Sequence, residues 1–296
     1  MKQLSLVLLC VAVMITACHH SSSNHISYNP LADSTWVLSP VPATAPHMML
    51  IEEFSGQGCA QVPYDDITLD SVERNGFATT IAYYITGFVT TLPPAGAAYD
   101  LRTTAGSLIA NSSIFSGVSA IPSAGIDRTP FGGGSNAVGF GEWEIALAVR
   151  HSYAVDSLNL DVASSYNAGT RIATITATVT YTLPMTTQQN LSIAVVTDSI
   201  VDLQQDINGY IDTSYISNNV FISMVTPIPL GDTILSTIPA KEAGRVQRKR
   251  YTYTLPASFA KGTINPANCR VVAFVHAPGI DSDYHVLQAA QTKLAP

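Results

Sequence analysis

Apolar and polar residues change rhythm twice along this chain. Residues 4–15 form one apolar run behind Lys2. From 47 to 155, short apolar stretches of strand type alternate with segments of helical spacing. Residues 48–54 read as a strand, 64–74 as a helix and 78–85 as a second apolar strand; 99–110 reads as a further helix and 118–126 as an extended segment. In 141–150 the apolar residues Trp143, Ile145, Leu147 and Val149 recur at period two, which predicts a strand. Such alternation is what builds α/β folds. Beyond residue 156 period two dominates. Ala173, Ile175, Ala177, Val179, Tyr181 and Leu183 occupy one face of a strand whose opposite positions, from Thr174 to Thr182, are all threonine. Strands are also predicted at 158–162, 191–197, 220–225, 250–255 and 270–276, separated by turns such as Asn167-Ala168-Gly169 and Leu230-Gly231-Asp232. This pattern suggests a β-sandwich, closed by a short helix or strand at 285–294, where Val286, Leu287, Ala290 and Leu294 are spaced as on a helix.

The first apolar run is too short to span a bilayer as a helix. It ends in Ile15-Thr16-Ala17-Cys18, small residues before a cysteine as at a lipoprotein cleavage site. The expectation is a signal peptide over 1–17 and lipidation of Cys18, so that the mature protein is anchored to the membrane rather than spanning it. The segment 18–46, with His19, His20 and His25 and with Pro30, Pro40, Pro42 and Pro46, reads as a tether rather than a metal site. This places the protein at the outer membrane, facing either the periplasm or the surface.

Loss of Lys2 with the signal leaves 13 basic against 21 acidic side chains, a balance that argues against nucleic acid as a partner. The basic run Arg245-Val246-Gln247-Arg248-Lys249-Arg250 reads as a solvated turn or a charge-protected edge strand. Pro130-Phe131-Gly132-Gly133-Gly134-Ser135 lacks the lysine of a phosphate loop and reads as a connection. Neither a Gly-x-Ser-x-Gly turn nor a His-Glu-x-x-His helix occurs, which leaves hydrolase and metalloprotease readings without support.

The chemistry that stands out follows the first strand. Ile51-Glu52-Glu53-Phe54-Ser55-Gly56-Gln57-Gly58-Cys59 carries a strand into a glycine turn that presents a thiol. This is a thioredoxin-type motif in which the second cysteine of Cys-x-x-Cys is replaced by Val62. The second thiol is the one that resolves the mixed disulfide, so Cys59 is either a structural residue or a one-thiol nucleophile. At the start of a helix its thiolate would be stabilised by the dipole. The other cysteine of the mature body is Cys269, and a Cys59–Cys269 bridge is conceivable in an oxidising compartment. Of the two acids before the motif, one is expected to face the core and the other solvent. Asp281, Asp283 and His285, which follow His276, read as polar residues of a hairpin loop rather than cation ligands.

Ile51-Glu52-Glu53-Phe54-Ser55-Gly56 with Cys59 and Pro63, Ile121-Pro122 with Ile126-Asp127-Arg128, and Leu191-Ser192-Ile193-Ala194-Val195-Val196-Thr197-Asp198 with Gln204 resemble the outer membrane protein 28-related lipoproteins of Bacteroidetes. The resemblance covers about 48–294. It implies an α/β thioredoxin-like N-terminal domain (47–155) followed by an all-β, sandwich-like C-terminal domain (156–296). It also implies a cis bond at Pro122 facing Cys59, where an extended substrate could pair with the backbone. Many family members carry Cys-x-x-Cys-Pro; Val62 departs from that pattern and speaks against dithiol catalysis. The sequence therefore points to a non-catalytic envelope lipoprotein without cofactor or metal, whose partner is an envelope protein or a glycan. The alternative is a thiol-disulfide exchange protein working through Cys59 alone.

Overall fold

The apolar stretch Met49–Ser55 is buried along its whole length, as a strand in the middle of a sheet must be, and the molecule is organised around it. The computed structural model describes residues 33–132, 134–153 and 156–295; the signal segment, Cys18 and the tether histidines lie outside the described residues. The first half contains β1 (Ser34–Val37), β2 (Met49–Ser55), α1 (Val62–Arg74), β3 (Ala78–Tyr84), α2 (Thr104–Ala110), β4 (Ser123–Ile126), β5 (Ala137–Gly139) and α3 (Trp143–Tyr153). The second contains β6 (Leu158–Asn167), β7 (Ile172–Tyr181), β8 (Gln189–Thr197), β9 (Ile200–Gln205), β10 (Ile211–Ser217), β11 (Val220–Met224), β12 (Asp232–Ile234), β13 (Arg245–Thr254), the small hairpin β14 (Ser258–Phe259) and β15 (Gly262–Thr263), β16 (Cys269–His276) and β17 (Val286–Lys293).

One sheet runs in the order β17-β16-β8-β11-β3-β2-β4-β5, with β12 added beside β8. β2 and β3 are parallel, with α1 as the crossover, whereas β4 runs antiparallel to β2. The halves join where β11 runs parallel to β3, at Val220 and Ala82. The change of texture at residue 156 is thus not a break in the sheet, and Leu31–Pro296 forms a single compact unit. A second sheet, β1-β13-β7-β6, lies against the C-terminal part of the first, and the period-two face of β7 (Ala173, Ile175, Ala177, Val179, Tyr181) packs there on Leu191, Ile193, Val195, Val271, Ala273 and Val275. The sandwich is real, but one of its layers continues into the first half of the chain.

The opposite face of the large sheet carries a core of Leu50, Phe54, Ile81, Tyr83, Ala194, Val196, Phe274 and Val286, joined by Ile109 and Ala110 of α2. Met49, Ile51, Ala78 and Ala124 turn the other way, toward Leu69 of α1 and Trp143, Ala146 and Leu147 of α3. The sheet curls enough that β17 returns to β2: the Ala289 N–H donates to the Met48 carbonyl at 3.2 Å, and the Val286 N–H to that of Asp127 at 2.8 Å.

Several expectations change. Residues 141–150 hold no strand; Trp143, Ala146 and Leu147 are buried at helical spacing while Ile145 (61 % exposed) and Val149 (41 %) are not. Apolar residues on both faces imitated period two, and the alanines, leucine and glutamates favour helix. Glu144 in the first turn and Arg150 and His151 in the last match its dipole. The helix predicted from residue 99 starts only at Thr104, because the Thr103 hydroxyl accepts from the Gly106 N–H and caps it. The tail takes the strand form of its two expected ones, β17. The basic run opens β13, flanked by both β1 and β7; Arg245 pairs with Glu242, Lys249 with Asp33, and the Arg248 guanidinium lies 4.8 Å from the centre of the Trp36 ring.

Glu52 and Arg128, both fully enclosed, form a two-pronged pair (Nε–Oε2 2.7 Å, Nη2–Oε1 2.9 Å). The Tyr83 hydroxyl donates to Glu52 at 3.1 Å, and Arg128 stacks 4.7 Å from the Phe274 ring centre. The preceding Asp127 accepts from the Leu50 N–H, from Arg150 Nε and from His47, each at 2.7 Å. These contacts hold Asp127 and Arg128 at φ 48° and 51°, a left-handed backbone that costs non-glycine residues of order 1 kcal/mol each.

Replacing Arg128 with Met strands the Glu52 carboxylate and should cost about 3–5 kcal/mol in denaturant unfolding, whereas Glu52→Leu combined with Arg128→Met should recover most of it. His47 provides a second test. Burial alone would lower its pKa, but the hydrogen bonds to Asp127 and Asp156 outweigh it and raise the value to about 9. Its stabilising charge is therefore fully present below the unfolded value near 6.5 and is lost as pH rises through 9. His47→Gln should destabilise by about 3 kcal/mol at pH 6 and by far less at pH 10.

Candidate functional site

β2 ends at Ser55, and the chain turns through Gly56–Gln61 before α1 starts at Val62 with Pro63 in its first turn, where proline's missing N–H is harmless. The turn is built by close packing. A Cβ on Gly56 would lie 2.6 Å from Thr91 Cα, and one on Gly58 would lie 2.6 Å from the Leu92 carbonyl oxygen. The Cys59 N–H closes the turn onto the Gly56 carbonyl at 2.9 Å, and the Val62 N–H reaches the Cys59 carbonyl at 3.2 Å.

Cys59 is 5 % exposed. Its Sγ lies 3.8 Å from the Ile121 carbonyl oxygen, beside the cis Ile121–Pro122 peptide bond. Burial pushes the thiol above its ordinary value, and the charges of Asp65 and Glu53 add to this against the lowering effect of the Gln61 and Val62 amides. Proximity to the helix start therefore does not activate it. Val62, in the place of a second thiol, is buried. Cys269 is likewise a free thiol. It sits in the sandwich core with its Sγ 3.4 Å from the Asn265 carbonyl, and burial pushes it up to about 11.

The two glutamates of β2 depart from expectation, because both are buried (0 % and 2 % exposed). Alternation sends Glu52 to Arg128 and Glu53 to the α1 side. There Glu53 meets Asp65, Asp66 and Glu73. Burial raises Glu53 well above its ordinary value, reinforced first by the charge of Asp66; burial and Asp66 raise Asp65 to about 8; and Asp66 and Glu73 are also raised, chiefly by burial. Glu53 Oε1, Ser55 Oγ and both carboxyl oxygens of Asp65 are buried without a hydrogen-bond partner. Glu73 is eased by Arg270, which is itself held by Asp198 at 2.7 Å.

A hairpin that hydrophobic patterning did not predict covers this region. β9 and β10 form a two-stranded sheet of their own. Gln204 Nε2 donates to the Cys59 carbonyl at 2.9 Å, the Gln205 N–H to the Gln57 carbonyl at 3.2 Å, and Gln57 Nε2 to Asp202 at 3.2 Å. Tyr84 donates to Ser217 at 3.2 Å, and the Tyr215 hydroxyl is bonded to Asp66. The hairpin is inverted, with Asp202, Gln204 and Ser217 buried and Val201, Tyr210, Ile211 and Ile216 exposed. The signal that could have exposed it is Gln204, which stands out as a polar residue with no evident role on its strand.

Other candidates stay apart. His285 bonds Asp283 at 2.6 Å in the loop between β16 and β17. His276 is buried, bonded to Ser192 (3.0 Å) and the Ala277 carbonyl (2.8 Å), and held down to about 3 chiefly by burial. Among the described residues, no group of three or more His, Cys, Asp or Glu has the arrangement of a metal site. The larger cavities open elsewhere, one of about 470 Å³ between α1 and α3, beside Ile67, Phe77, Leu147 and His151.

Comparison with solved structures finds a likeness of fold to HBP35 of Porphyromonas gingivalis (TM-score 0.64, 12 % identity, covering 86 % of this chain and 77 % of that one). A protein of Agrobacterium tumefaciens also matches, with a TM-score of 0.47, 13 % identity, and coverage of 85 % and 96 %. No curated protein matches in sequence. The family model for outer membrane protein Omp28 matches residues 112–296, more than half of the chain, from the turn before cis Pro122 through the hairpin and the sandwich. The chain belongs to the outer membrane protein Omp28 family.

Proposed function

We propose that the protein is a lipid-anchored envelope lipoprotein in which residues 47–155 form a thioredoxin-like unit that serves as scaffold rather than dithiol catalyst, with a binding or structural role toward an envelope protein or a glycan. The sheet order β3-β2-β4-β5, with only β4 reversed, α1 and α3 on one face and α2 on the other, supports the thioredoxin-like reading. Family membership supports the envelope location, and the run ending at Cys18 supports the lipid anchor.

The observation that carries the non-catalytic role is the state of Cys59. The thiolate, not the thiol, is the nucleophile, and here burial and the neighbouring acids favour the thiol, while the hairpin bonds the carbonyl of the same residue. A mixed disulfide formed at Cys59 would also have Val62 beside it instead of a resolving sulfur. The runner-up, one-thiol exchange, draws on the backbone around the sulfur: the Gln61 and Val62 amides and the Ile121 carbonyl could guide an extended substrate once the hairpin moved.

With Cys10, Cys18 and Cys269 replaced by Ser, Cys59 should react with a thiol probe at pH 7 at least about tenfold more slowly than free cysteine, and at the free rate in denaturant. Reaction faster than free cysteine in the folded protein would establish the one-thiol enzyme instead. For the anchor, Cys18→Ala should abolish incorporation of labelled fatty acid and move the protein from the membrane fraction to the soluble fraction. Unchanged labelling would remove Cys18 as the lipid site.

A further inference from the structure

The hairpin over Cys59 is attached in an unusual way. Ile200 packs against Ala82, Tyr84, Leu101 and Val220, but Val201, Tyr210, Ile211 and Ile216 face outward. Polar bonds hold it: Gln204 and Gln205 to the Cys59 turn, Asp202 to Gln57 and to the Ala98 and Tyr99 amides, Ser217 to Tyr84, and Tyr215 to Asp66. The last of these bonds rests on the cluster in which Glu53 from β2 and Asp65, Asp66 and Glu73 from α1 crowd together. Charged and titratable groups reach this cluster from each packed element: Asp70 on α1, Tyr84 from β3, Tyr215 from β10 and Arg270 from β16.

We propose that the β9–β10 hairpin is a proton-controlled latch over Cys59, closed while the carboxyls of Glu53, Asp65 and Asp66 beneath it hold their protons and released when they ionise. The inference deepens the reading of Cys59 as a covered thiol and rests on it. The physical reason is linkage. A closed hairpin keeps these groups from water, and wherever the closed form binds more protons than the open one, closure loses free energy as pH rises. Asp65 is raised to about 8, while Glu53 and Asp66 are raised in the same direction by burial and by one another, so release falls across the neutral to mildly alkaline range. Arg270 does not cancel this, because its guanidinium is committed to Asp198 and reaches only the Glu73 end. The Tyr215 hydroxyl works the other way, favouring ionised Asp66. Burial and the neighbouring acids Asp70 and Glu73 outweigh it, since Asp66 remains above its ordinary value. Tyr215 itself is pushed far up, mainly by burial, and stays a donor throughout. The unpartnered Glu53 Oε1, Ser55 Oγ and Asp65 oxygens are the atoms that opening would hydrate.

The test is hydrogen exchange on the full chain at pH 6 and pH 9, corrected for intrinsic amide chemistry, reading peptides from 200–217 against control peptides from β16. The wild-type hairpin should lose protection by about tenfold or more between the two pH values, with β16 unchanged. Glu53→Gln and Asp65→Asn should each flatten that dependence, and Tyr215→Phe should lower protection already at pH 6. Hairpin protection equal at both pH values, the same loss in the carboxamide variants, or an equal loss in β16, which would mean global unfolding, would each overturn the latch. Probe labelling of Cys59 at pH 6 separates this from the reading beneath it: fast labelling there refutes the covered thiol, whereas slow labelling with pH-independent exchange refutes the latch alone.

Discussion

A carboxylate and a guanidinium taken out of water together lose several kcal/mol of hydration each, and only a tight pair with its remaining hydrogen bonds met offsets that cost. Glu52 and Arg128 form a tight two-pronged pair, with Tyr83 on one side and the Phe274 ring on the other, and leave only Arg128 Nη1 of the pair without a hydrogen-bond partner. Their partners come from β2, β3, the turn after β4, and β16. β2, β3 and the turn after β4 are neighbours in the sheet, but β16 lies several strands away, so the Phe274 contact forms only because the sheet curls far enough to bring β16 and β17 back over β2. Asp127 strengthens the same constraint from the adjacent position, tying His47, the Leu50 amide and Arg150 to one carboxylate. The two halves therefore share one curled sheet, where the change of pattern at residue 156 suggested separate domains.

The neighbouring residue shows the opposite solution. Glu53 differs from Glu52 by one position and so by one face of the strand. On its side no guanidinium faces it directly, and three more carboxyls arrive from α1. A protein can keep such groups buried by leaving protons on them. β2 thus carries an ion pair on one face and a proton-holding cluster on the other. The cluster gains or loses protons as pH changes near neutrality. That asymmetry gives the covering hairpin its dependence on the state of the acids below it.

Much of the architecture was legible because burial follows the sequence period. Met49–Ser55, Ala78–Tyr84 and the threonine-faced β7 carry patterns that match where their side chains go. Reading failed where the pattern was two-sided or inverted. In α3, the exposed Ile145 and Val149 supplied apolar residues that imitated a strand. In β9, the buried positions are Asp202 and Gln204, so a rule that sends apolar residues inward assigns the wrong face or no strand at all. The site was half visible: Cys59, Val62 and Pro122 could be named from their motif, but the acids of α1 look like an ordinary polar helix face until β2 places Glu53 against them.

The glycine turn before Cys59 bears on what the motif is for. Gly56 and Gly58 are demanded by the backbone of residues 90–92, which approaches too closely for any Cβ, and Cys59 helps hold the turn through main-chain groups that any residue could supply. Packing alone would therefore preserve the appearance of a redox loop after its second sulfur had gone. The sulfur has no such structural excuse, since the Ile121 carbonyl at 3.8 Å is too long and too weak a contact to require a thiol, and the nearby Gln61 and Val62 amides favour only the thiolate that burial disfavours. A small apolar residue would fill the same space. The turn is thus explained by the fold, whereas the retained thiol is the single feature of the motif that packing does not account for, and the hairpin above it decides whether that thiol meets anything.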